Sequence, residues 1–290
     1  MPSSSSIAAG GTRIEVIIGE PGALPTLAPE HLAQVLRRDG AVLLRGFSAS
    51  LEEFRAFTEQ FHDRFLRYPG RELLCADGTV QAVAAGERAI PLHAELCYLP
   101  GAPDVCWFHC GRPSADGGET LLADGVAIAH TLAENPAIPL GRSIRYRLEI
   151  PPGIFPQLFD ATSLDGVLAL LHERGWSHAF ARVEDRLFVD WCTSLLTRPL
   201  GGGPPAFINQ LLHWGLDSER IRWADGGAIS SSFLQSALEV SERHTAMLSW
   251  DAGDIVAFDN RRFLHGRPRV TDPDRRVHTR FGIGFIEPGQ

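Results

Sequence analysis

No apolar run in the 290-residue chain approaches the roughly 20 residues that cross a bilayer, so a membrane-embedded protein is not expected. Basic residues are short as well. Lys and Arg number 27 against 35 Asp and Glu, a formal net charge of -8, which argues against nucleic acid, whose phosphates want a basic face. The five cysteines, Cys75, Cys97, Cys106, Cys110 and Cys192, form no repeated C-x-x-C pair. Cys106-x-x-x-Cys110 stands alone in an apolar run, so buried free thiols in a reducing, cytoplasmic setting are expected rather than a zinc cluster. Met1 to Ser6 lacks the basic and apolar regions of a signal peptide, and residues 1–11 are expected as a disordered tail. Internal repeats are absent, and so is low complexity beyond the early serines.

What is present is ordinary for a globular protein: 44% hydrophobic and 21% charged residues, enough for a large core. Thr12–Ile18 reads as a strand, Pro29 to about Arg38 as a helix opened by proline, and Ala41–Phe47 as a buried strand. Ser50 with Glu53 forms a capping-box pattern, and Leu51, Phe54, Phe57, Phe61 and Phe65 follow at helical spacing. Beyond Pro91 short strands alternate with Gly and Pro turns, as in a sandwich, barrel or jelly roll. The expectation is a mainly β fold with flanking helices. One domain spans 12–290, with a mid-chain insertion over about 129–205 whose segment from Phe155 to Leu200 would serve as a mobile lid.

The chemistry gathers at Pro91-Leu92-His93-Ala94-Glu95-Leu96. On a strand, residues two apart share a face, so His93 and Glu95 would aim an imidazole and a carboxylate at one point. A third ligand would complete the two-His, one-carboxylate facial triad of non-haem iron oxygenases. Asp254 to Arg267 reads as strand, turn at Asp259-Asn260, then His265, which supplies that imidazole; a turn histidine bonded to backbone is the plainer alternative. Beyond it Arg276, His278 and Arg280 alternate, so all three face one way. Two arginines inside a barrel would need anions, and arginine suits bidentate carboxylate recognition. The same alternation also describes an outward basic sheet face.

These residues resemble the taurine dioxygenase (TauD/TfdA-like) branch of the Fe(II)/2-oxoglutarate-dependent oxygenases. The likeness rests on His93-x-Glu95, on Thr120 in a strand after Gly117-Gly118, and on the stretch from Trp250 through Asp259-Asn260-Arg261 to His265. Arginines eleven and fifteen residues further on and the opening Gly40–Phe47 strand complete it, over roughly Leu32 to Phe285. The resemblance implies a double-stranded β-helix (a cupin-like jelly roll) with His93, Glu95 and His265 as iron ligands. It implies that Thr120 and Arg276 hold the distal carboxylate of 2-oxoglutarate and that Arg280 faces the primary substrate, with an exchange of roles between the two arginines open. Glu in place of the commoner Asp is similar to clavaminate-synthase-like enzymes and amino-acid hydroxylases, some acting on carrier-tethered substrates.

The implied activity is hydroxylation of a small anionic or amino-acid-derived molecule, coupled to oxidation of 2-oxoglutarate by O2 to succinate and CO2. A carboxylate at position 95 argues against halogenation, which needs a small residue there. Arg64, Arg67 and Tyr68 precede the first iron strand, where the family often places substrate contacts; Asn209 and Gln210 are candidates for the mouth of the site. The expected partner is a small molecule, free or presented on a carrier protein, and a homo-oligomer is compatible with the sequence. Two other readings compete: a zinc hydrolase, weakened by the lack of H-E-x-x-H, and a non-catalytic jelly roll that binds a metal or small acid.

Overall fold

The computed structural model describes residues 3–84 and 86–286. The chain opens with a hairpin of β1 (Ser3–Ala9) and β2 (Thr12–Ile18) that turns at Gly10, where φ is 59°. A Cβ there would fall 2.0 Å from the Arg243 carbonyl oxygen, so both the conformation and the close approach require glycine. The expected disordered tail is corrected over its described part. Ser3–Ala9 pairs along the whole of β2, and backbone pairing asks little of the serine side chains.

Helix α1 (Pro29–Asp39) buries Leu32, Ala33, Val35 and Leu36 and stops at Gly40 in the left-handed region. After β3 (Ala41–Arg45), α2 (Leu51–Thr58) opens with the reciprocal Ser50–Glu53 capping box. The phenylalanine spacing suggests a helix reaching Phe65, but α2 ends at Thr58. Phe65 lies on β4 (His62–Leu66), which pairs with the chain's last strand (Phe281 opposite Leu66). Tertiary pairing overrides the helical period here.

The central strands are β5 (Gln81–Ala82), β6 (Ile90–His93), β7 (Val105–Arg112) and β8 (Thr120–Asp124), followed by α3 (Gly125–Ala133). The insertion then supplies β9 (Ser143–Ile150), α4 (Phe155–Phe159), α5 (Leu164–Glu173), β10 (Phe180–Val183), β11 (Arg186–Ser194) and β12 (Leu196–Thr197). Beyond it come β13 (Ala206–Phe207), α6 (Leu211–Trp214), β14 (Ile221–Trp223), α7 (Ser231–Arg243), β15 (Thr245–Leu248), β16 (Ile255–Asp259), β17 (Phe263–Arg267) and β18 (Arg276–Phe285).

Two sheets face each other as a double-stranded β-helix. The larger runs β1-β2-β3-β16-β7-β18-β4, with β5 also on β18; the smaller runs β15-β8-β17-β6. Strand alternation divides β7 between two environments. Val105 and Trp107 pack outward among residues of α1 and α2, while Cys106, Phe108 and Cys110 point between the sheets with Val256, Phe258, Val277 and Phe281. The cysteines are free, but the burial expected of them holds for Cys106 and Cys110 only; Cys75 and Cys97 are half-buried and Cys192 is exposed.

The insertion builds its own sheet, β10-β11-β9-β14. Its core (Tyr146, Val167, Leu171, Leu187, Val189) is continuous with Leu92, Ala94, Leu96 and Leu264 of the roll. One stretch here, Pro152–Glu173, is long and apolar enough by composition to cross a membrane. It is not one rod: Asp160 adopts a left-handed conformation at the end of α4, and Ser163 caps a separate α5.

Under α2, the buried His62 accepts a hydrogen bond at Nε2 from Trp107 Nε1 (2.9 Å), which requires a neutral ring. Burial, reinforced by the Arg280 charge, pushes its pKa down to about 3. Below pH ~6.5 the unfolded chain therefore binds a proton that the fold refuses, and stability present above that pH is lost as pH falls toward 3. Thermal unfolding of the metal-free protein between pH 7 and 4 should show a falling midpoint that His62→Gln partly flattens. An identical slope in the variant would contradict this account.

Candidate active site

Antiparallel pairing of β6 with β17 sets His93 directly opposite His265. The strand stops at His93, so Glu95 is placed by a turn and not by the strand alternation expected for it. The amide side chain of Asn260 stands in for the missing neighbour strand. It accepts from Glu95 N–H (2.8 Å) and donates to the carbonyls of Glu95 (2.9 Å) and Pro103 (3.1 Å). Gln210 Nε2 donates to the Ala94 carbonyl (2.6 Å). Leu96 then takes a left-handed conformation, φ 51°, a costly one for a leucine and found where a site demands it.

The result is one cluster: a donor atom from each of His93, Glu95 and His265 lies within 4.8 Å of the other two. His93 Nδ1 donates to the Pro91 carbonyl (2.9 Å), a tautomer that leaves Nε2 free. Burial pushes His93 down to about 4 and His265 well below the usual imidazole range. Both are therefore neutral at neutral pH, the form that ligates metals. Burial pushes the Glu95 carboxyl up, while Arg71 beside it pulls the other way. Glu95 is 3% exposed, yet its carboxylate makes one long hydrogen bond, to Arg71 at 3.4 Å. A buried carboxylate with spare lone pairs, facing two neutral imidazoles, fits a divalent metal of the facial-triad kind.

A small cavity of about 50 Å³ extends from this cluster between the two sheets, lined among others by Thr120, Phe108, Val277, Arg71, Arg267 and Arg275. Thr120 Oγ1 accepts from Trp250 Nε1 (3.1 Å). Neither Arg276 nor Arg280 reaches the cavity. The alternation of Arg276, His278 and Arg280 is real, but their common face is the outer one. Val277, Thr279 and Phe281 take the inner face, and Arg275, two residues before Val277, shares it. Arg276 is exposed and donates to the carbonyls of Pro273 and Arg275. Arg280, 2% exposed, ties α2 to the sheet through the Arg55 carbonyl (2.7 Å), Thr58 Oγ1 (2.8 Å), Thr79 Oγ1 (3.1 Å) and Glu59 (3.3 Å). Arg275 Nε donates to the Gly118 carbonyl (2.8 Å), and burial beside Arg267 pushes its pKa down to about 10.

Of the other expected contacts, Tyr68 does come near. Its ring carries the Arg71 guanidinium at 4.2 Å, with Phe281 at 5.2 Å from the same group. Arg64 is exposed and lines a separate cleft with Arg174 and Trp176, away from the metal cavity. Arg67 pairs with Asp160. Asn209 is buried, holding the start of α6 through the Leu211 N–H (2.9 Å) rather than lining the cavity. No residue of 129–205 is among the cavity's described lining. What borders the metal cluster on that side is α6, whose His213 ring lies 4.9 Å from that of His93. Arg71 and His213 carry no sequence signal of their own, whereas Gln210, expected at the mouth of the site, and Asn260, expected in the turn before His265, hold the Ala94–Glu95 backbone. Arg275 had one, the two-residue step to Val277.

Comparison with known proteins agrees with this geometry. The family model described as taurine catabolism dioxygenase TauD, TfdA family, matches residues 6–138 and 201–281. The gap falls on the insertion. A clavaminate synthase-like protein of Arabidopsis thaliana is 24% identical over 285 residues, covering 85% of this chain and 82% of its own. Among solved structures, a taurine dioxygenase from Burkholderia xenovorans aligns with TM-score 0.65 and 17% identity, over 99% of this chain and 92% of that one. PvcB of Pseudomonas aeruginosa, an Fe, α-ketoglutarate-dependent oxygenase from an isonitrile synthetic pathway, aligns with TM-score 0.59 and 19% identity, over 97% and 91%. At these identities the structures establish the shared fold. The family match covers most of the chain, insertion aside, and the protein belongs to the TauD/TfdA family of dioxygenases.

Proposed function

We propose that the chain is an Fe(II)- and 2-oxoglutarate-dependent oxygenase that hydroxylates a small, anionic organic substrate. The observation that carries this reading is the convergence of His93, Glu95 and His265 on one wall of a cavity whose lining also holds Thr120 and Arg275. His93, Glu95 and His265 hold the metal, and Thr120 and Arg275 hold the distal carboxylate of 2-oxoglutarate. Arg275 thus takes the part that the family resemblance implies for Arg276. When bound, iron and 2-oxoglutarate together supply the oxidising power for C–H hydroxylation with O2.

The rest is placement by this chain's own groups. Asn260 and Gln210 hold the Ala94–Glu95 backbone. Phe108, Phe258 and His93 pack against the His265 ring, at centroid distances of 5.5, 5.1 and 4.2 Å, and fix its direction. Arg71 supports the anionic character of the substrate. Its side chain is 14% exposed and its anionic partner is Glu95. Once Glu95 is committed to a metal, Arg71 needs another anion, and an acid group on the substrate beside the metal meets that need. A zinc hydrolase would use the same three ligands but has no use for the buried arginine wall.

Anaerobic Fe(II) plus 2-oxoglutarate should produce a weak visible charge-transfer band, and admitting O2 should yield succinate. His265→Ala should abolish both; a band that survives it would end the assignment. The arginine roles separate cleanly. Arg275→Gln should weaken 2-oxoglutarate about 10- to 100-fold at equilibrium with little change in melting. Arg280→Ala should cost about 2 kcal/mol of stability, because it strands buried acceptors under α2, and should leave 2-oxoglutarate affinity intact. The reverse pattern would give 2-oxoglutarate to Arg280, the exchange of roles that the resemblance leaves open.

A further inference from the structure

Arg267 has no part in the reading above, yet it sits in the same cavity. It lies two residues beyond His265 on β17 and therefore on the same inner face. It is 8% exposed. Its guanidinium donates to the carbonyl oxygens of Ala84 (2.9 Å), Gly86 and Arg88 (3.3 Å), and its Nε–H has no partner among the described residues. Among the described residues no carboxylate pairs with it, and none pairs with Arg275 on the same lining. The contrast with Arg269, two residues on and exposed, is plain: that side chain has its anion in Glu87 at 3.0 Å. Two guanidinium groups on one cavity lining, Arg267 buried and Arg275 half-buried, neither paired with a carboxylate among the described residues, raise each other's cost.

The carbonyls behind Arg267 fix its orientation without supplying charge. A guanidinium held from behind, with an N–H unspent, is organised in advance for a planar anion. We propose that Arg267 is a second guanidinium for the distal carboxylate of the 2-oxo dicarboxylic acid. That end of the cavity is then a two-arginine clamp, and Arg267 is a specificity-determining residue that selects a dicarboxylate over a 2-oxo monocarboxylate. The inference rests on the oxygenase reading and adds to it a residue from the metal-bearing strand itself.

The test is equilibrium binding, with no turnover, to the Mn(II)-loaded full-length protein. Two probes are compared by calorimetry: 2-oxoglutarate, and 2-oxobutanoate, which has the same 2-oxo acid head but no distal carboxylate. Arg267→Gln should weaken 2-oxoglutarate about tenfold or more and 2-oxobutanoate by less than about twofold, so that the ratio of the two affinities collapses. An unchanged ratio overturns the proposal, including the case in which both acids weaken in parallel, which marks Arg267 as a support for residues 84–88 alone. Should Arg267→Gln melt early, Arg267→Lys, which keeps the charge but loses the planar fork, carries the same comparison and should show a smaller loss confined to 2-oxoglutarate. A wild-type protein that binds neither acid refutes the oxygenase reading instead, which keeps the two failures apart.

Discussion

Everything at the site depends on the cross-strand pairing of β6 with β17, which sets His93 against His265 from positions far apart in the chain. A two-residue strand step positions two side chains on one face, but only sheet pairing brings a third from a distant segment. Glu95 is the exception that shows how much the surroundings matter. It lies past the end of its strand, and side chains from Asn260 and Gln210 hold its backbone. Those two amides do for the turn what a neighbouring strand does for the histidines.

Charge is distributed to match. Three guanidinium groups, from Arg71, Arg267 and Arg275, enter a cavity whose carboxylate is Glu95. Burying cations in that excess is unfavourable unless anions arrive with the ligands. The proposed function meets that demand: a dication on Glu95 and organic acids beside the guanidinium groups would supply the balancing charge. Arg280 shows the opposite solution on the other face of the same strand: a buried cation satisfied by protein oxygens and Glu59, with no ligand required.

The insertion, skipped by the family model, is not a loose lid laid over the site. It has its own sheet, and its core runs into that of the strands that carry His93 and His265. The segment that approaches those histidines is the short α6 that follows it. Residue pattern in the insertion announces helices and strands but not what they pack on, because a continuous apolar core has no marker at the join.

The jelly-roll class and the gathering of His93, Glu95 and His265 were legible in the chain, from short strands between turn residues, the H-x-E step and a histidine after the Asp259-Asn260 turn, while Thr120 entered through the family resemblance alone. The periodicity of Arg276, His278 and Arg280 was equally legible, since alternation is a property of any strand. Which of the two faces looks inward was not. Alternation determines faces only relative to each other, and α2 covers the outer face of β18 at Arg280, so that arginine is as buried as an inner one while Arg276 is exposed. Shifting attention by one residue, to Arg275, needed the packed sheet. Arg71 and Arg267 lie further still from what residue order can tell. They matter because folding sets Arg71 against Glu95 and leaves Arg267 without a carboxylate among the described residues, and that is a property of three-dimensional neighbourhoods, not of residue order.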